Sequence, residues 1–125
     1  MTTATAKTTS VEATLAQYAH DVALQEARKA AQAFALKHFG GGDDGACGFA
    51  WVNVYGVKGN TRLGKALVSV GFRKSYTRGL QLWNGRDGWY FGQSVDAAEA
   101  GAVAYAKKFR ELTGIESVYA GSRLD

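Results

Sequence analysis

The 125-residue sequence predicts an α+β domain, a ferredoxin-like βαββαβ sheet preceded by a long N-terminal helix. Three observations carry that expectation. Apolar residues recur at helical spacing from Val11 to about Phe39, the period switches to two at Gly48, and two further helical stretches alternate with short strand-like runs closed by glycine turns. A chain of this length can bury roughly two thirds of its unfolded surface around one core. Its 46% apolar and 21% charged residues are the balance of a globular protein. Residues 1–9, small and polar, read as a disordered tail, and residues 10–125 as a single domain.

The elements follow in order. Thr9 and Glu12 have the spacing of a capping box, so the first helix opens there. Val11, Leu15, Tyr18 and Val22 give it an apolar stripe that drifts through Ala23, Ala27, Ala30 and Phe34 and is expected to be buried. Gly40, Gly41 and Gly42 stop it, and GGGDDGACG reads as a loop. In the strand from Gly48, Phe49, Trp51, Asn53 and Tyr55 share one side while Ala50, Val52 and Val54 share the other. Both sides are largely apolar, so both are expected to be covered, with Phe49, Trp51 and Tyr55 beneath the N-terminal helix. Asn60 is a good N-cap for a second helix with Leu63, Leu67 and Val70 inward and Gly71 past its end. The basic run FRKSYTRG reads as a loop, residues 80–83 as a strand, NGRDG as a hairpin turn, and residues 89–91 as the next strand. Ser94 and Asp96 open a third helix striped by Ala98, Ala102, Tyr105, Phe109 and Leu112, which ends at Gly114 with Ile115 as its clasp. Residues 116–120 form the last strand, before the tail GSRLD.

Cys47 is the only cysteine and closes no disulfide within the chain, so a reducing, cytoplasmic setting is expected. The opening MTTATAKTTS has no apolar h-region, and no window approaches the roughly 18 apolar residues of a membrane helix, so neither secretion nor a membrane is expected. Charge is distributed unevenly. Residues 1–45 and 96–125 each carry one excess negative charge, whereas residues 46–95 hold seven basic side chains against Asp87 alone, a net +6. That segment is where an anionic partner is to be sought.

Several runs there resemble binding motifs. Gly48, Phe49, Ala50, Trp51 and Val52 follow the glycine-aromatic-small-aromatic-aliphatic order by which RNA-recognition domains present rings for base stacking. Cys47 and Val54 depart from it. GNTRLGKA has the glycine spacing and lysine of a phosphate loop, but Ala66 stands where a Mg²⁺-ligating hydroxyl is required. The start of the second helix, with Asn60, Thr61 and Arg62, still suits an anion. Arg73, Lys74 and Arg78, with Tyr76 among them, suit a phosphate backbone with an exposed base.

Signals of catalysis are weaker. Cys47 with His38 as its base, Asp43 and Asp44 as metal ligands beside them, and Glu99 as an acid or base buried by an oligomer are the candidates, and none has a diagnostic spacing. No catalytic residue, metal or cofactor is therefore assigned.

The runs CGFAWV, GNTRLGKAL, GFRKSY, GLQLWN and YAGSRLD, across residues 45–125, resemble those of small hypothetical proteins of tailed bacteriophages. The resemblance implies a phage context and a host-cytoplasm setting, with no mechanism attached.

The expected function is a non-enzymatic binding module for nucleic acid or a nucleotide-like anion. Its expected site comprises Lys58, Asn60, Arg62, Lys65, Arg73, Lys74, Arg78 and Arg86 for phosphate, with Tyr76 for stacking. Two alternatives stay open: a homo-oligomeric phage protein that binds a host protein or sequesters a small ligand, and a small enzyme with an intersubunit site.

Overall fold

A computed structural model describes residues 11–40, 47–75, 79–85, 88–90 and 94–124. The elements are α1 (Val11–Phe39), β1 (Gly48–Val54), α2 (Arg62–Ser69), β2 (Arg73–Lys74), β3 (Leu80–Trp83), α3 (Val95–Thr113) and β4 (Val118–Leu124). The protein is α+β, with a long N-terminal helix and a four-stranded sheet in the order β2-β3-β1-β4 whose neighbours all run antiparallel.

The long helix buries a different stripe from the one its large residues suggest. Val11 is 82% and Tyr18 58% exposed, whereas Ala19, Ala23, Ala27 and Ala31, four residues apart, are fully buried. The expectation for Val11, Leu15 and Tyr18 is thus corrected. The reason is proximity: α1 packs along α3, and its alanines share one core with Ala98, Ala102 and Ala106. Larger side chains on either stripe would hold the two axes apart. His20 Nδ1 and Tyr105 Oη, 2.7 Å apart, tie the two helices together. Burial holds His20 below its ordinary value, with Arg28 adding to the fall and Asp21 opposing it, and burial lifts the Tyr105 phenol well above its own.

The expected capping box rests on Thr9, which lies outside the described residues. The α2 cap is Thr61, not Asn60: Thr61 Oγ1 accepts from Gly64 N at 3.0 Å and its hydroxyl donates to the Lys58 carbonyl at 2.7 Å. Ser94 caps α3 as expected, accepting from Ala97 N, and Gly114 closes it in the left-handed conformation.

The hairpins differ from expectation. Arg73 and Lys74, expected in a loop, form the edge strand β2, because Ser75 N donates to Gly79 O at 3.2 Å and Gly79 turns the chain at φ +101°. The expected strand at 89–91 is absent at its described residues, Trp89 and Tyr90. Asn84 ends β3 instead: its amide accepts from Ala50 N at 2.8 Å and donates to the Tyr90 carbonyl at 2.7 Å, turning the chain off the sheet. Trp89 then plugs the core, 3% exposed, with Nε1 donating to Ala98 O at 2.8 Å. β4 runs on through the expected tail to Leu124. Arg86 and Phe91 lie outside the described residues.

Alternation divides β1 as expected. Ala50, Val52 and Val54 are fully buried and face the helices with Leu80 and Val118. The opposite face does not lie beneath α1, whose partners are α3 and α2. That expectation is corrected: the alanine stripe fits α1 to another helix and leaves the aromatic face of β1 uncovered by the described helices.

Candidate functional site

The period of two along three adjacent strands assembles one surface. Phe49, Trp51, Asn53 and Tyr55 from the β1 run meet Gln81 and Trp83 of β3 on one flank, and Tyr119, Gly121 and Arg123 of β4 on the other, through the pairs Trp51↔Trp83, Asn53↔Gln81, Asn53↔Tyr119, Trp51↔Gly121 and Phe49↔Arg123. All of these except Tyr119 line a groove of about 470 Å³.

Aromatic rings dominate it. Phe49 and Trp83 lie 4.8 Å apart between centroids, Trp51 and Trp83 5.1 Å, and Phe49 and Trp51 5.9 Å. Tyr55 and Tyr119 make a second group at 5.8 Å. These spacings are those of mutually attractive ring pairs. Trp83 is 45% and Tyr119 54% exposed, so the rings are available to a ligand. Gly121 is what lets the Trp51 indole lie down on the sheet, since a Cβ there would come within 2.5 Å of its Nε1. One flank of the ring thus rests on the β4 backbone.

Between the two ring groups lies Asn53, only 7% exposed. Its Nδ2 donates to Tyr55 Oη at 3.1 Å, while its Oδ1 is buried without a hydrogen-bond partner among the described residues. Reversing the amide would satisfy the oxygen and orphan the nitrogen, so one polar atom goes unpaired either way. A buried acceptor left unpaired costs about 1–3 kcal/mol.

The predicted basic residues fall elsewhere, around α2 and the β2 edge. Lys58, Arg62, Lys65, Arg73 and Lys74 are all exposed, and neither ion pair found among the described residues involves them. Lys58, Asn60 and Lys74 come together around a second groove of about 690 Å³ with Val57, Val68 and Leu80. Arg73 is occupied differently, its Nη1 donating to the carbonyls of Val68 at 3.1 Å and Phe72 at 2.8 Å at the end of α2. Arg62 and Lys65 line neither groove. Gly64 and Lys65 lie within α2, so the GNTRLGKA run forms no phosphate loop. Tyr76, Arg78 and Arg86 lie outside the described residues.

Asn53, Gln81, Trp83, Tyr119, Gly121 and Arg123 carry no functional signal of their own in the sequence. The alternations Tyr119, Gly121, Arg123 and Gln81, Trp83 could have placed several of them on one face, but the first runs into the expected tail and the second lies at the end of a short strand.

Cys47 is exposed and its backbone bridges Ser94. His38 lies against the Phe34 ring at 4.2 Å, and Glu99 Oε2 accepts from the Ser122 hydroxyl at 2.6 Å. Among the described residues no group of three His, Cys, Asp or Glu side chains is placed to hold a metal ion, and Asp43 and Asp44 lie outside them. No helix among them is long and apolar enough to cross a membrane. Comparison with protein-family models, with characterised proteins and with solved structures gives no match.

Proposed function

We propose that this protein is a non-enzymatic module that binds single-stranded nucleic acid on the open face of its sheet. The observation that carries the reading is the aromatic surface of Phe49, Trp51 and Trp83, spread over two adjacent strands and left bare by every described helix. Unstacked bases lie flat on exposed rings, at about 1–3 kcal/mol per base, and every base offers such a face. Arg123 stands opposite Phe49 at one edge, and Arg73, opposite Gln81, stands on β2 at the other. Phosphates leaving the rings on either side would thus meet a cation.

The arrangement is read as ferredoxin-like. β1 and β2, linked through α2, flank β3, and β3 and β4, linked through α3, flank β1. Both connections are then split βαβ units. The phage resemblance of residues 45–125 adds that the strand would be met in the cytoplasm of an infected host.

A second reading has its own observation. Exposed tryptophan and tyrosine on one sheet face also suit a second copy of the chain. The unpaired Asn53 amide at the floor favours nucleic acid, because a nucleobase brings flat faces for the rings together with a polar edge.

Anisotropy of a labelled single-stranded oligonucleotide tests the proposal. Binding should weaken steeply with salt, and Trp51→Ala and Trp83→Ala should each weaken it by about 1–3 kcal/mol. Binding that ignores both substitutions, or light scattering that shows the face closed by a second copy, would overturn it.

A further inference from the structure

We propose that Asn53 is the specificity-determining residue of this face, selecting nucleobases that carry an exocyclic amino group, adenine, cytosine and guanine, over thymine and uracil, which lack one. The inference rests on the single-strand reading above. Asn53 lies on the central strand β1, between the Phe49–Trp51–Trp83 rings and the Tyr55–Tyr119 pair. Its side chain is held from one side only, by the 3.1 Å hydrogen bond between Nδ2 and the Tyr55 hydroxyl, and in that orientation its oxygen is unpaired. An unpaired acceptor at the floor of a ring-lined groove calls for a donor that arrives on a flat group. Tyr119, directly across from Asn53, is more than half exposed, so turning its ring outward uncovers the amide without disturbing the core.

Shape then decides among the bases. The amino group of adenine, cytosine or guanine projects beyond its ring and reaches a recessed acceptor. The ring N–H of thymine or uracil is flanked by two carbonyl oxygens, which would face Oδ1 and repel it. An oxygen left unpaired beneath the wrong base retains its desolvation cost, which is how a buried polar group turns into discrimination.

The test compares oligo-dC and oligo-dA with oligo-dT of equal length at one salt concentration, for the parent protein and Asn53→Leu. The parent should bind dC and dA about tenfold more tightly than dT, a difference within reach of one base-edge contact. Asn53→Leu should bind all three alike, near the parent's affinity for dT. Asn53→Ala serves if leucine disturbs the strand, with the Trp89 environment as the check on folding. A parent that binds all three equally, or a variant that keeps the parent's preference, overturns the inference and leaves stacking on the sheet intact. Failure to bind any of the three overturns the proposed function itself.

Discussion

Replacing Gly121 by alanine separates the aromatic platform from the core beneath it. The new Cβ would come 2.5 Å from Trp51 Nε1, 2.7 Å from Cε2 and 3.0 Å from Cζ2. Ordinary carbon contacts begin near 3.5 Å, so the indole must move away from β4 by about 1 Å or tilt up from the sheet. The backbone has no reason to object, because alanine within a strand is favoured over glycine by roughly 0.5–1 kcal/mol. Trp51 is only half-buried, so its displacement sacrifices little packing. Stability should therefore hold while the platform is spoiled. The largest effect is the loss of one stacked base, about 1–3 kcal/mol, or roughly 5- to 150-fold in Kd. Near-ultraviolet circular dichroism reports the ring's movement, a melting curve reports stability, and anisotropy of a labelled oligonucleotide reports affinity. A shifted indole signal with undiminished affinity would refute the claim that Trp51 stacks on the ligand.

Gly101→Ala strikes the core instead, placing a Cβ 2.1 Å from Cδ1 of the buried Trp89, and should cost about 1–3 kcal/mol and lower Tm in a melting experiment. Thr61→Ala should destabilise by about 1 kcal/mol in a denaturant titration, whereas Asn60→Ala should leave the midpoint in place; equal effects would return the α2 cap to Asn60. His20 has a folded pKa below its unfolded value of about 6.5, so the unfolded chain takes up its proton first as pH falls. Its contribution to stability is complete above that value and is lost as pH drops from about 6.5 toward the lowered folded value. His20→Asn should flatten the stability profile between about pH 7 and 5, and an unchanged profile would assign the slope to other groups. Lys58→Ala combined with Lys74→Ala should reduce the salt slope of single-strand binding by about 1.4 if both lysines neutralise phosphate, and an unaltered slope would remove their groove from the binding path.

Much of the fold was legible because local chemistry and tertiary structure agree there. The Ser94 and Gly114 ends of α3, its stripe of Ala98, Ala102, Tyr105 and Phe109, and the two faces of β1 all follow from spacing and capping alone. The buried stripe of α1 does not follow from hydrophobicity, which ranks Val11, Leu15 and Tyr18 above alanine, whereas close helix approach selects for the smallest side chain. The run NGRDG has a strong hairpin signature, yet Asn84 bonds Ala50 and Tyr90 at the end of β3, and Trp89 is buried in the core. The strand that does pair with β3 is β2, two residues long and too short for any period to register. The open aromatic face was half legible. Phe49 and Trp51 stood out as an aromatic alternation, but which side of the sheet the helices occupy is a tertiary fact, and it decides whether those rings are core or surface.

The three tryptophans offer the most direct test of the open aromatic face, since each has a distinct indole N–H signal by NMR. On titration with a short single-stranded oligonucleotide, the signals of Trp51 and Trp83 should shift together, while that of Trp89, bonded to the Ala98 carbonyl in the core, stays in place. Stationary signals from Trp51 and Trp83 at saturating oligonucleotide, or shifts that follow protein concentration alone, would contradict the account.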